Sequence, residues 1–590
     1  MRANNKIAFR LFKNHITRFF TIIAIVIVSV GFMSGIGEVE NKIKISTNDF
    51  YISQNVSDLY LKSKNPAGFS VQEIDWIENE FGQENIMKSF CYETKIEDDV
   101  IRIYNFDYDN VNINQLQLLE GSMPTNENEV WVERDTTKIK GYNLGDKISL
   151  HGSEYTVCGI VLNPLIINRI EEPCFQYEGE YLSNVIYFNS SSFPIINDIY
   201  LTIEDRALFN SFSNNYEKEI EKYKIEIEQT IGIENVSVLT LKENFGIYSL
   251  ISYAEKVGLI GIIFVVFFML VTLLVVYSTM TRLLDEERSQ IACQKTLGYS
   301  NVKIVGKYLL FVLVSAVLGG LIAFGVGLVL TQIIYSAFNL QYAMPPFPHS
   351  VNFIYYLITF LIIVISTAVL TFITGMKMVK NKPVTLLTPK APKAGKKVFL
   401  EKISFVWNKL SFKYKSTLRN VLLFKSRFFM TVISIIGSTV LFFAGLGLMD
   451  CATKIDGGSS LITISLALIV FSAVLCALVI YNLTNINISE RKREIATLKV
   501  LGYQDKEVCG YIFREIYIMG FIGALLGLPL GLGFIQFVFG LIDFGAITDI
   551  NWWTYVLTPI VVMMFCFLST LFLKKKITKT DMQSSLKSIE

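Results

Sequence analysis

Eight apolar runs, each about 20 residues long and nearly free of charge, decide most of what this 590-residue chain can become. A run of that length in hydrocarbon has to satisfy its backbone N–H and C=O groups internally, so each is predicted to be a membrane-spanning helix. The runs are Phe19 to Ile36, Leu259 to Tyr277, Leu309 to Ile334, Phe353 to Ile373, Phe428 to Leu448, Leu461 to Tyr481, Ile516 to Phe539 and Trp553 to Leu573. Apolar residue types make up 52% of the chain and the mean hydropathy is +0.43, above an ordinary soluble protein. The first run is too long for a cleaved signal and lacks a small-residue cleavage pattern, so it is read as a span.

The chain also writes one short stretch twice. IACQKTLGYSNVKIVG begins at Ile291 and IATLKVLGYQDKEVCG at Ile495, an offset of 204. Ile291, Ala292, Lys295, Leu297, Gly298, Tyr299 and Gly306 recur as Ile495, Ala496, Lys499, Leu501, Gly502, Tyr503 and Gly510, and Gly319 and Gly327 recur as Gly523 and Gly531. Each copy follows a charged lead-in, Asp285 to Arg288 or Glu490 to Glu494. Leu297 and Ile304, like Leu501 and Val508, stand seven apart and are expected to share one side of a short amphipathic helix at the membrane surface, with the Gly-Tyr pair redirecting the chain.

A second repetition fixes the architecture. Arg18-Phe19-Phe20 recurs as Arg427-Phe428-Phe429 and Arg10 as Arg419, at an offset of 409, which predicts an interfacial elbow helix before spans one and five. The offsets differ by 205 residues, so the chain is two four-span units, the first carrying a large insertion between its first two spans. The fold class is therefore a polytopic α-helical membrane protein with an α+β extracellular domain inserted in the first repeat. The expected division is 1–37 for elbow helix and first span, 38–250 for the extracellular domain, 251–376 for spans two to four, 377–412 for a basic linker, 413–576 for the second repeat and 577–590 for a tail.

Lysine and arginine placement gives the orientation, since the net charge is only +2. From Lys377 to Arg427 there are 14 Lys or Arg against the single acid Glu401, and Lys574, Lys575 and Lys576 close the last span. With eight spans all these basic segments fall on one side, expected to be the cytoplasm, which receives both termini. Pro383, Pro389 and Pro392 punctuate the linker, whose lysines suit anionic lipid headgroups. In the inserted domain acids outnumber bases about two to one, which disfavours nucleic acid as a partner. Its strands are predicted around Glu129 to Val132, Asp146 to Leu150 and Tyr155 to Val161, with turns at Gly121, Gly141, Gly145 and Gly152. Helices are predicted at Val71 to Phe81 and around Tyr216, Ile220, Tyr223 and Ile227.

The glycines of spans three and seven, Gly319, Gly320, Gly325, Gly327, Gly520, Gly523, Gly527, Gly531 and Gly533, read as close helix packing or as a moving interface. The eight cysteines form no C-x-x-C, leaving open one external disulfide among Cys91, Cys158, Cys174 and Cys451 or free thiols throughout. His15, His151 and His349 are too dispersed for a metal, and no metal site is expected.

The charged lead-in followed by I-A-x-x-K-x-L-G-Y, placed after the second span of a four-span unit, resembles the FtsX-like permeases of ABC transporters, the group that includes MacB and LolC/LolE. Leu119-Glu-Gly-Ser-Met-Pro, Asn128-Glu-Val, Leu144-Gly-Asp-Lys-Ile and Tyr155-Thr-Val-Cys-Gly-Ile-Val are similar to the MacB-type periplasmic core. The resemblance implies that each duplicated stretch is a coupling helix docking on an ATPase, with Glu287, Arg288, Lys295, Gly298 and Tyr299 in one and Arg491, Glu494, Lys499, Gly502 and Tyr503 in the other. Two departures stand beside it: only the first half carries an ectodomain, and Glu494 is matched by Gln290.

No G-x-x-x-x-G-K-[ST] phosphate loop occurs, so the chain is not expected to be an enzyme or to bind a cofactor, and ATP with Mg²⁺ is expected on a partner ATPase, two copies being implied. The resemblance implies a mechanotransmission permease in a bacterial plasma membrane, moving an amphipathic cargo such as a lipid, lipopeptide or antimicrobial peptide. The alternative is a transmembrane signalling protein that regulates a cell-wall hydrolase or sensor kinase without transport.

Overall fold

A computed structural model of the chain describes residues 2–579 except 97, 108–111, 135–141, 151, 169–171, 191–192, 205, 207–208, 349, 351, 389–410, 424 and 455–457. Pro389, Pro392, Glu401, Gly141, His151, His349 and the tail beyond 579 therefore lie outside the described residues. Two units are distinguished, one of Met1–Glu38, Gly258–Thr331 and Val351–Glu590, the other of Val39–Val257 with Gln332–Ser350. The sheet-bearing unit thus takes in the end of span three and the segment after it as well as the insertion.

Each of the eight apolar runs lies inside one long helix, among eight helices apolar and long enough to cross a membrane. In chain order the helices of the first half are α1 (Arg2–Asn14), α2 (Ile16–Gly37), α3 (Val39–Ser53), α4 (Val71–Phe81), α5 (Asn214–Ile231), α6 (Phe245–Glu286), α7 (Arg288–Thr296), α8 (Asn301–Gln341), α9 (Phe353–Val379) and α10 (Pro383–Leu387). The second half adds α11 (Phe412–Leu423), α12 (Lys425–Ala452), α13 (Ser459–Glu490), α14 (Lys492–Val500), α15 (Asp505–Ile542) and α16 (Trp552–Thr578). The candidate spans are α2, α6, α8, α9, α12, α13, α15 and α16, and α1 and α11 are the helices at the positions where elbows are expected.

The duplication extends to packing. A Cβ on Gly319 of α8 would stand 2.9 Å from Val26 Cβ of α2, and one on Gly523 of α15 would stand 2.9 Å from Ile435 Cβ of α12. Val26 and Ile435 are themselves 409 residues apart. Gly327 likewise meets Ser34 where Gly531 meets Phe443, so in both halves small residues let the first and third spans cross at backbone contact. Gly320 faces Phe360 of α9 and Gly520 faces Cys566 of α16, whereas Gly325 and Gly533 have nothing close to them.

The halves join through α2, α6, α12, α13 and α15. Phe32 stacks on Phe268 at 4.5 Å between centroids and also meets Phe471 at 5.5 Å, while Phe264 meets Phe534 edge-on at 5.3 Å. Asn482 Nδ2 donates to Thr279 Oγ1 at 2.8 Å, and Arg282 pairs with Glu490, so polar groups of α13 find partners on α6 inside the apolar bundle.

The sheet unit contains β1 (Leu59–Ser63), β2 (Ile86–Ile96), β3 (Asp99–Phe106), β4 (Gln117–Gly121), β5 (Glu129–Glu133), β6 (Lys147–Leu150), β7 (Ser153–Leu162), β8 (Asn184–Asn189), β9 (Asp198–Leu201) and β10 (Val236–Thr240). They form one sheet in the order β10-β1-β9-β2-β3-β8-β5-β7-β4, with β6 added on β7. The pairs β3 with β8 and β5 with β7 are parallel and the others antiparallel.

Period-two alternation sorts the side chains. Leu59, Leu61, Ile199 and Leu201 bury one face under α4 and α5, through Ile77, Ile220 and Ile227, while Tyr60, Tyr104 and Tyr200 belong to the other face. α4 starts at a capping box, with Ser70 N–H donating to Glu73 Oε2 at 2.7 Å. The eight cysteines are free thiols, all buried or partly so except Cys293, which is exposed.

Candidate functional site

The two duplicated stretches fold identically, and the chemistry of the Leu-Gly-Tyr triplet explains why. Gly298 has φ +83° and Gly502 φ +88°, a region where a Cβ is strained and glycine is not. Gly298 N–H donates to Lys295 O at 3.0 Å and Tyr299 N–H to Gln294 O at 3.1 Å; Gly502 N–H donates to Lys499 O and Tyr503 N–H to Leu498 O, both at 3.1 Å. This is a Schellman cap, in which two otherwise orphaned helix carbonyls are satisfied by the residues that follow. It ends α7 and α14 after nine residues and turns the chain into α8 and α15.

Because the helix ends there, the expectation that Leu297 shares a side with Ile304, and Leu501 with Val508, is corrected. Leu297 is 76% exposed and Leu501 69%, whereas Ile304 is 1% and Val508 0% exposed. The glycine turn lies between the members of each pair, so a seven-residue spacing carries no helical phase across it. What faces the core instead is the Ile-Ala pair of each repeat: Ile291, Ala292, Ile495 and Ala496 are fully buried.

The ten expected site residues divide sharply. Glu287 is buried, with Oε1 3.2 Å from His15 Nε2, so it ties the start of α7 to the end of the first elbow. Arg288 donates from Nε to Leu386 O at 2.9 Å and from Nη2 to Thr385 O at 3.2 Å and to Thr388 O, fastening α10. Lys295 Nζ donates to Val379 O at 2.6 Å and Asn381 O at 2.7 Å at the end of α9. Tyr299 packs against the buried cluster of the first half.

In the second half Arg491 is buried and pairs with Glu515 at 2.6 Å, while Glu494 is exposed with Oε2 3.9 Å from Arg491. Lys499 Nζ donates to Thr578 O at 2.9 Å and lies 3.1 Å from Asp505. Gly298, Gly502 and Tyr503 are exposed. Five of the ten, Glu287, Arg288, Lys295, Arg491 and Lys499, are thus engaged with their own chain, and what each turn presents outward is its leucine, joined in the second by Val500 and Tyr503. Sequence reasoning places Leu297 and Leu501 on a helical side with Ile304 and Val508 and not among the docking residues; a glycine in the next position, which makes the leucine the last residue of the cap, is the signal for their outward placement.

The halves differ at equivalent anchors. Glu287 and Phe311 of the first correspond, at the offset of 204, to Arg491 and Glu515 of the second. The same place is held by a carboxylate facing a histidine in one half and by a guanidinium facing a carboxylate in the other.

The family described as FtsX-like permease C-terminal matches residues 262–383 and 466–582, each match running from the second span of one half through its duplicated turn to the end of its fourth span. No curated protein matches the chain. Among solved structures, the extracellular domain of the noncanonic ABC-type transporter YknZ from Gram-positive bacteria is similar, at 15% identity over 31% of this chain and 99% of that one, with a TM-score of 0.20.

Proposed function

We propose a function for what the family match and the eight apolar helices make a multi-pass membrane protein carrying the FtsX-like permease domain in two segments. It acts as the permease subunit of an ABC transporter, and two separate ATPase subunits dock at the turns that close α7 and α14. The observation that carries this reading is the twofold occurrence of one Schellman turn holding a leucine out into solvent beside exposed glycine. An apolar knob on a short, capped helix suits a groove on a soluble partner, because the leucine is already desolvation-prone and its backbone already fixed.

The engaged residues then have a mechanical role. Lys295 and Lys499 fasten α7 and α14 to the ends of the fourth spans, Glu287 fastens α7 to the elbow through His15, and Arg491 fastens the start of α14 to α15. A push on either turn is received by several spans at once. ATP and Mg²⁺ are held by the ATPase subunits, whose closure on nucleotide moves α7 and α14 and, along the covalently continuous α6 and α8, the sheet unit outside a bacterial plasma membrane. Both chain termini and the basic linker are cytoplasmic in this arrangement.

The cargo is amphipathic, a lipid, lipopeptide or antimicrobial peptide, since the spans are apolar over most of their length, which disfavours a hydrophilic pore. The test is ATP hydrolysis by the chain co-purified with its ATPase subunits in lipid nanodiscs. Stimulation by lipopeptides or cationic amphipathic peptides supports transport. Stimulation by a protein partner alone overturns the transport reading in favour of signalling.

A further inference from the structure

On the sheet face opposite α4 and α5 lies a cavity of about 140 Å³ walled by the rings of Tyr60, Tyr104, Tyr200 and Phe175. Tyr60 and Tyr200 are register partners on β1 and β9, and their rings stack at 4.9 Å. Three carboxylates, Asp58, Glu172 and Glu243, reach its wall against one guanidinium, that of Arg102.

Most of these charges are already matched. Arg102 donates to Glu93 Oε1 from Nε at 3.0 Å and from Nη2 at 2.8 Å, and to Pro173 O at 2.7 Å. Asp58 accepts from Ile203 N–H at 2.9 Å and from the Tyr216 hydroxyl. Glu243 pairs with Lys224 at 2.8 Å. Glu172 is less completely matched: it is 7% exposed, its Oε1 makes only an ion pair at 3.6 Å with Arg102 Nη1, and its Oε2 has no hydrogen-bond partner among the described residues.

We propose that this cavity binds one organic cation, a primary ammonium or guanidinium on an aliphatic stem, as on the lysine or arginine side chain of a peptide or on a free amine. The Phe175 ring is already met by Lys62 at 3.8 Å and Arg102 at 3.9 Å, so the cation is recognised by the carboxylate oxygen without a donor and by the tyrosine rings, whose faces are of negative electrostatic character. An anionic ligand meets an acidic wall, and a neutral apolar one leaves Glu172 Oε2 unpaired. Burial pushes the Glu172 carboxyl up to about 7, against the nearby Arg102, and a cation seated there would favour its ionised form.

The site shares no residue with the two turns, so its failure and failure of the docking reading are separate results. The full-length chain in nanodiscs is titrated by calorimetry with N-acetyl-lysine amide, N-acetyl-arginine amide and n-butylamine, and with the neutral N-acetyl-norleucine and N-acetyl-citrulline amides. The charged probes bind and the neutral ones do not. Glu172→Gln weakens binding at least tenfold, and Leu239→Trp, which narrows the cavity from β10, abolishes it and serves where the first variant fails to fold. Preference for the amides over butylamine assigns the site to peptides; the reverse assigns it to free amines. Absence of binding by any charged probe, equal binding of the neutral probes, or wild-type affinity in both variants overturns the proposal.

Discussion

Lys295 Nζ donates to the main-chain oxygen of Val379 at 2.6 Å, and in the other half Lys499 Nζ donates to that of Thr578 at 2.9 Å. Val379 and Thr578 are the last residues of α9 and α16, the fourth spans. The last carbonyls of a helix lack intrahelical partners and carry the negative end of its dipole, so an ammonium placed there both satisfies and neutralises them. The lysine of each I-A-x-x-K repeat is thereby explained as a strut between a short surface helix and a span 79 to 84 residues further on.

Replacing Lys295 or Lys499 by Met removes a charge-assisted bond while keeping the aliphatic stem. Each change is expected to cost about 1–2 kcal/mol of stability. Docking should survive while coupling falls, read as retained ATPase co-purification with reduced cargo-stimulated hydrolysis.

Gly298 and Gly502 are constrained by backbone, not by space, since nothing lies within 4 Å of a Cβ built on either. Gly298→Ala should cost about 1 kcal/mol through its positive φ. Gly298→Asn should cost less, because asparagine tolerates that region. Comparison of unfolding in SDS titrations for the two variants checks the order.

Arg491 and Glu515 are each about 2% exposed and 2.6 Å apart. Glu515→Ala leaves a buried guanidinium without its carboxylate and should destabilise by about 3–5 kcal/mol. The double variant Arg491→Met with Glu515→Leu should recover most of that loss in the same assay, the first half already having Phe at the position equivalent to Glu515.

Glu133 on β5 accepts from the Tyr187 hydroxyl at 2.8 Å and from Asn163 N–H at 3.2 Å, and burial pushes its carboxyl up to about 8. Its folded pKa is above the ordinary value of 4.5, so between those limits the folded state binds more protons than the unfolded state, and stability falls as pH rises from about 4.5 to about 8. Glu133→Gln should flatten that slope. Thermal unfolding of the full chain from pH 5 to 8, followed by Trp131 fluorescence with the other tryptophans changed to Phe, measures it.

The spans, the short helices α1 and α11, the helices α4 and α5 and the strands β5 to β7 are legible in the sequence because each rests on local periodicity or a local cap. The turn after each short helix is legible from glycine. The outward leucines are not, because a spacing carried across that same glycine loses its helical phase. The main-chain partners of Arg288, Lys295 and Lys499 and the His15 partner of Glu287 lie 79 to 272 residues away, and no pattern within a window encodes a charge meeting the end of a distant helix. The aromatic cavity draws on β1, β3 and β9 and on the segment around Glu172, and sheet order is not written in any one of them.

The central claim is tested most directly at Leu297 and Leu501. Both are exposed, so Leu297→Glu with Leu501→Glu should leave the fold within about 0.5 kcal/mol of wild type. Co-expressed with ABC-type ATPase subunits that co-purify with the wild-type chain, the double variant is predicted to lose that co-purification and the associated ATP hydrolysis at an unchanged Tm. Retention of both at wild-type levels would contradict the account, because the two turns would then not be where the ATPases dock.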